Sequence, residues 1–191
     1  PLYMAWNKCI RQSTSEYICV WNIDDLRTPN SIEVMSKSLD ENPDVDFVYG
    51  SFLTVSSFGN DHGTLVNTMQ YTDQLKTGMI LGPFFMFRRS VLDRCGMFDE
   101  QFKSGGDFDF AMRLARCGNG LCLSDMLGYY LNEGTGLSTN INDDVQAIER
   151  TVVELRYGLD VLEPQYVEET RKYDIENIIL DNHKIPVKEF V

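Results

Sequence analysis

Apolar residues recur along the chain in two periods, and the switches between them mark its elements. Leu2, Ala5, Trp6, Cys9 and Ile10 repeat at the spacing of one helical face. Ser13 to Glu16 breaks that pattern, and Tyr17-Ile18-Cys19-Val20-Trp21 reads as a fully buried strand. Thr28-Pro29 supplies an N-cap with proline at the first helical position. Ile32, Met35 and Leu39 give the helix it starts an apolar face, lasting to about Asn42-Pro43. Phe47 to Val55 is a second strand, and Ser57 to Gly63 a turn or loop. Phe84 to Phe87 is a short strand whose phenylalanines read as core, and Ser90 caps a brief helix ending at Gly96. Asp107 to Cys117 is a helix stopped by Gly118, and Leu121–Leu123 and Met126–Leu131 are two short strands. A polar, glycine-bearing loop follows from Asn132 to Asn142. The pattern is then helical and acidic from Val145 to about Tyr157 and again from about Pro164 to Leu180. Helices alternating with strands, then a helical tail, predict an α/β fold.

Composition narrows the function. A length of 191 residues favours one domain, or one domain with a helical extension, and 43% hydrophobic with 24% charged residues suits a packed core. The net charge of −12 argues against a nucleic-acid partner, which requires a basic footprint. No apolar run reaches the length of a membrane span, which is about 18 residues. The five cysteines, Cys9, Cys19, Cys95, Cys117 and Cys122, are an odd number without framework or zinc spacing, so they read as small apolar residues in a reducing, cytoplasmic compartment.

Chemistry concentrates in three places. Asn22-Ile23-Asp24-Asp25 follows a strand directly, and in open α/β sheets the carboxyl ends of strands form the ligand crevice. Adjacent carboxylates repel unless a cation or donors neutralise them, and an oxygen-only site with few protein ligands suits Mg²⁺ or Mn²⁺. A turn making its own hydrogen bonds is the plainer alternative. In Gly105-Gly106-Asp107-Phe108-Asp109-Phe110, Asp107 falls within the helix's apolar arc, so it must cap the helix, pair, or line a cleft. Asp109, Arg113 and Arg116 fall on the opposite face, where Asp109 and Arg113 predict a surface ion pair. Third, the glycines and hydroxyls of Asn132 to Ser138 can fold over an anion or form an ordinary loop. His62 and His183 read as surface, and Trp21 as core rather than a stacking platform.

The order of these pieces resembles the family 2 glycosyltransferases with the GT-A fold. Ala5-Trp6-Asn7-Lys8 through Tyr17-Ile18 is similar to the helix and strand leading to the metal motif, and Asn22-Ile23-Asp24-Asp25 to the DXD-type motif itself. Gly82 to Ser90 with Gly96-Met97-Phe98-Asp99-Glu100 resembles the glycine-started strand, short helix and FDE turn. Gly106 to Phe110 with Arg113 and Gly118 resembles the acceptor-side helix that carries the base.

The resemblance implies a mixed sheet flanked by helices over residues 1–140 and a helical extension over 141–191. It further implies an inverting transfer of a sugar from a UDP- or GDP-sugar to a glycan or lipid-linked hydroxyl. Asp25 is expected to hold Mn²⁺ or Mg²⁺, with Asp24 beside it near donor or metal. Asn22, Asn132 and Ser138 are expected on the donor, and Asp107 as base. Asp24, Asp25 and Asp107 must then share one hollow. The family's opening nucleotide-binding strands are not seen, so the chain reads as the metal and acceptor side of a larger enzyme, peripheral at most to a membrane. The open sheet edge this leaves predicts a homo-oligomer. The rival reading is a non-catalytic interaction module in which the tail, with Val152, Leu155, Leu159 and Leu162, docks a partner instead of folding back.

Overall fold

One mixed β-sheet with helices on both faces organises the chain. The structure, a computed structural model, describes residues 1–59, 63–68, 81–136, 140 and 143–190. Strands β1 (Tyr17–Cys19), β5 (Phe85–Arg88), β3 (Phe47–Val55), β6 (Gly120–Leu131) and β2 (Leu26–Arg27) lie side by side in that order, and β4 (Thr64–Val66) also pairs with β3. β3 and β6 run parallel; the other described pairs in this sheet are antiparallel.

The central strands read as unbroken apolar runs because both their faces are covered. Phe47 and Tyr49 of β3, with Phe85 and Phe87 of β5, point into one core beneath helices α1 (Leu2–Gln12), α4 (Gly106–Cys117) and α5 (Val145–Tyr157). Val48 and Phe52 of β3, with Met86 of β5 and the preceding Phe84, point into a second core closed by Met35 and Leu39 of α2 (Ser31–Glu41). Burying each such side chain contributes roughly 1.5–3 kcal/mol. A short helix α3 (Leu92–Cys95) links β5 to the Phe98-Asp99-Glu100 turn.

Several elements differ from the sequence expectation. The buried face of α1 is Tyr3, Asn7 and Ile10, one residue around from the expected stripe, because Asn7 takes three hydrogen bonds from the turn below: its Nδ2 donates to Phe98 O and Glu100 Oε1, and its Oδ1 accepts the Phe98 amide. β1 ends at Cys19, two residues before Trp21. α2 starts at Ser31, later than the proline suggested. The two short strands near 121–131 are one strand, β6, whose register against β3 slips where Gly50 faces Leu123 and Ser51 faces Met126. Gly50 is required at that slip, since a Cβ there would come within 2.8 Å of the Asp125 carbonyl.

The helix expected over 164–180 is absent. Residues there form two short 3₁₀ turns and then a hairpin, β7 (Asn177–Leu180) with β8 (His183–Pro186), turned by Asp181 and Asn182 at positive φ. Aspartate and asparagine tolerate that conformation better than other side chains, which makes the turn. α5 is as expected and folds back on the sheet layer, with Val152 and Val153 fully buried. His183 is exposed, and all five cysteines are free. Among the described residues no helix is long and apolar enough to cross a membrane.

Candidate functional site

The loop after β1 is held from two sides. Arg27 Nη2 donates to Val20 O at 2.7 Å across its neck, and the Arg27 guanidinium stacks between the Trp21 and Phe84 rings. The Asp25 amide closes the turn onto Asn22 O. Asp25 then points inward: it is 4% exposed, its Oδ1 accepts the Leu131 amide of β6 at 3.1 Å, and its Oδ2 accepts Asn22 Nδ2 at 3.1 Å. Burial raises the Asp25 carboxyl above the usual carboxylate range, and those two donors only partly oppose it. Asp24, by contrast, is exposed.

The start of α4 forms the facing wall. Gly105 and Gly106 are needed there because the chain is approached closely: a Cβ on Gly106 would lie 2.7 Å from the Tyr3 ring, and one on Gly105 2.9 Å from Glu149 Cβ. Tyr3 Oη donates to Ser104 O at 2.6 Å and reaches Asp107 Oδ1 at 3.5 Å. Asp107 Oδ1 also accepts the Phe108 amide at 2.8 Å. Asp107 therefore does some capping and still lines a cleft. Burial pushes its carboxyl up to about 6, against the Phe108 amide and with the Glu149 charge assisting.

Asp24 and Asp107 line one hollow of about 340 Å³, with Tyr3 and Trp6 of α1, Trp21, Asn22 and Ile23 of the loop, and Tyr130 and Leu131 of β6 among its walls. The structure brings Asn22, Asp24 and Asp107 together as the sequence suggested. It does not bring Asp25 to the wall, because that side chain is spent holding the loop to β6. Asn132 is exposed and absent from the lining; its amide extends the β3–β6 ladder by bonding Val55 O. Ser138 and His62 lie outside the described residues.

Trp21 corrects the expectation most sharply. It is 56% exposed and lines the hollow, its Nε1 donating to Asp25 O at 3.1 Å. The strand stops before reaching it, so strand burial no longer governs its position. Tyr3 and Trp6 were also missed as site residues, since their helical spacing signals only packing.

Asp109 and Arg113 are a second correction: both are fully buried rather than on a wet face. Arg113 bonds Asp109 Oδ2 at 2.7 Å and the Cys95 carbonyl, while Arg156 of α5 bonds Asp109 Oδ1 at 2.6 Å and Asp99 Oδ2 at 2.9 Å. Burial alone would raise Asp109, but the charges of Arg113 and Arg156 outweigh it and hold the carboxyl below its usual range. Asp99, buried beside the charged Asp109, is instead raised. The face expected to be wet is covered by the tail.

Among the described residues no three His, Cys, Asp or Glu side chains converge as a closed metal cage. An open site with one exposed carboxylate is what remains, and that donor set fits a hard divalent cation completed by substrate phosphates and water.

Comparison with known proteins adds to this geometry. A Bacillus subtilis (strain 168) protein described as uncharacterized glycosyltransferase YwdF is 28% identical over 120 residues, which cover 59% of this chain and 43% of that protein. The chain thus spans less than half the length of that relative. The crystal structure of S. aureus TarS 1-349 superposes with a TM-score of 0.52 at 14% identity, covering 94% of this chain and 74% of that one. A second S. aureus TarS structure gives 0.51 at 19% identity, over 84% and 28%. These likenesses carry the fold, a mixed sheet flanked by helices of the GT-A kind. The model for Glycosyl transferase family 2 matches residues 2–96, which include α1, the Asp24–Asp25 loop and β5, and by that match the chain belongs to glycosyl transferase family 2.

Proposed function

We propose that the hollow transfers a sugar from a nucleotide-diphosphate donor, a UDP- or GDP-sugar, to a hydroxyl of a glycan or lipid-linked acceptor, with inversion at the anomeric carbon. The observation that carries this reading is that Asp24 and Asp107, from the loop after β1 and the start of α4, line the same small hollow. Its volume lies at the lower end of small-molecule sites, and its mixture of aromatic walls with two carboxylates suits a sugar.

Asp107 is the base. Its raised carboxyl, near 6, is ionised at neutral pH and still basic enough to accept a proton in the transition state. As the acceptor oxygen bonds to the anomeric carbon, its proton passes to Asp107, the carbon–oxygen bond to the diphosphate breaks, and the electron pair leaves with the nucleotide diphosphate. A single displacement of this kind inverts the anomeric centre. Asp24 is the residue that would hold Mg²⁺ or Mn²⁺, and a cation bound there would offset charge developing on the leaving diphosphate. Asp25 and Asn22 fix the loop that presents Asp24, so the metal assignment moves from Asp25 to its neighbour. Trp21 and Trp6 offer flat faces to a sugar ring or a base.

Titration calorimetry of Mn²⁺ with UDP- and GDP-sugars tests the donor side. Binding that requires both components, and that Asp24→Ala abolishes, is the expected result. Donor binding indifferent to metal or to Asp24→Ala overturns the assignment. Complete absence of donor binding favours the alternative of a non-catalytic interaction module.

A further inference from the structure

The wall carrying Asp107 is held by the tail of the chain. Glu149, Val152, Val153 and Arg156 of α5 follow a spacing that places them on one helical face, and that face lies against α4. Glu149 is fully buried, and its carboxylate accepts three successive amides from the turn before α4: Lys103 N at 2.8 Å, Ser104 N at 2.7 Å and Gly105 N at 2.6 Å. Tyr173 Oη gives a fourth bond at 3.0 Å. Four donors on one buried carboxylate fix its orientation, and the N-terminal end of a helix favours a negative charge. Gly105 makes room for it, since a Cβ there would lie 2.9 Å from Glu149 Cβ. Nothing in the transfer chemistry uses Glu149, and a carboxylate buried to this degree without a role in packing is costly.

We infer that Glu149 is a positioning residue for Asp107, clamping residues 103–105 so that the first turn of α4 presents the Asp107 carboxylate to the hollow. The inference rests on the reading of Asp107 as the base and deepens it: the C-terminal segment completes the site that the loop after β1 begins. The clamp also has an electrostatic consequence. Two titratable groups face Asp107 from neighbouring elements, Tyr3 of α1 and Glu149 of α5, and Asp24 lies on the wall of the same hollow. Of the two, Glu149 contributes the negative charge that favours the protonated form of Asp107.

The test is Glu149→Gln, which keeps the size and removes the charge. Amide hydrogen exchange is followed at residues 103–105, and the Asp107 carboxyl is titrated by carbon-13 NMR. The expected results are exchange faster by about tenfold or more at Ser104 and Gly105, and an Asp107 midpoint that falls from about 6. A folded Glu149→Gln protein with unchanged exchange and an unchanged midpoint overturns the inference; a purely structural role would leave the midpoint in place. If Glu149→Gln does not fold, Tyr173→Phe removes one of the four donors and keeps the core. Faster exchange at Lys103, whose amide shares Oε1 with Tyr173, supports the clamp, and wild-type exchange there overturns it. Neither readout depends on turnover, so loss of the base assignment through a fully active Asp107→Asn would be seen separately.

Discussion

In the loop after β1, Asp24 faces the hollow while Asp25 turns inward; at the start of α4, Asp107 faces it while Asp109 turns inward. Both walls are built the same way, with an outer carboxylate lining the hollow and an inner one, on a neighbouring residue or one beyond, tying the wall down. The inner pairings differ. Asp25 is held by two neutral donors and its carboxyl is raised by burial, whereas Asp109 is held by two guanidinium groups and is depressed. Neutral donors anchor a loop to one strand. The charged cluster joins α4, α5 and the Asp99 turn, and through the Ile179 amide on Asp99 Oδ1 it also reaches the β7–β8 hairpin. The loop wall is therefore tied chiefly to one strand, and the helix wall to α5, the Asp99 turn and the β7–β8 hairpin.

The strongest test of this division sets the outer acid of the helix wall against its inner one. Asp107→Asn should lower transfer about 10²–10⁴-fold while metal-dependent donor binding changes little and urea stability at pH 7 does not fall. Asp109→Ala should do the reverse, leaving Arg113 and Arg156 buried without their shared partner. Removing one member of such a pair costs about 3–5 kcal/mol, read as the shift in the urea midpoint. A mild loss of stability in Asp109→Ala would show that the cluster is wet in solution and would end the comparison.

A smaller effect is expected on the other wall. Asp25→Ala leaves the Leu131 amide and the Asn22 side chain without their acceptor, a cost of about 1–3 kcal/mol, because both of the donors that bond it are neutral. It should also weaken metal-dependent sugar-nucleotide binding, measured by titration calorimetry, since the turn presenting Asp24 loses its anchor. Stability loss in Asp25→Ala equal to that in Asp109→Ala would mean that the two walls are held alike.

The sequence showed these walls unevenly. Strand runs and helix faces were readable because burial imposes a period on apolar residues, and the Asp24–Asp25 pair and Asp107 stood out by position, at a strand end and within an apolar arc. The inner acids were misread for one reason: spacing tells which face a residue takes, not what later covers that face. Asp109 and Arg113 fall together at helical spacing, and only the return of α5 with Arg156 turns a surface pair into a buried cluster. Asp25 is expected ahead of Asp24 on the metal, and it is the Leu131 amide of β6 that turns it inward. The 164–180 segment has helical apolar spacing, yet the Asp174 and Asp181 regions make specific bonds, such as Asp174 N to Gln101 Oε1 and Asp181 N to Glu100 Oε2, that a continuous helix would forbid. Long-range polar partners of this kind have no signature in local pattern.

The smallest effect concerns pH. The Asp107 carboxyl has its folded value raised to about 6 from 3.8, so the folded state holds its proton more tightly than the unfolded chain does. Its contribution to stability is full below about pH 4 and is lost as pH rises through 6. Asp25 and Asp99 are raised as well and Asp109 is lowered, so the wild-type profile alone mixes their contributions. The difference between wild type and Asp107→Asn removes what the two proteins share. Between pH 4 and pH 7 the variant should lose less stability than wild type, by about 2 kcal/mol, in paired urea titrations. Over the same range the transfer rate of the wild type should climb as Asp107 ionises, about tenfold per unit below 6 and level above it. Parallel stability profiles for the two proteins would place Asp107 in water, and with it the distinction between an outer acid tuned for proton transfer and an inner one spent on structure would fall.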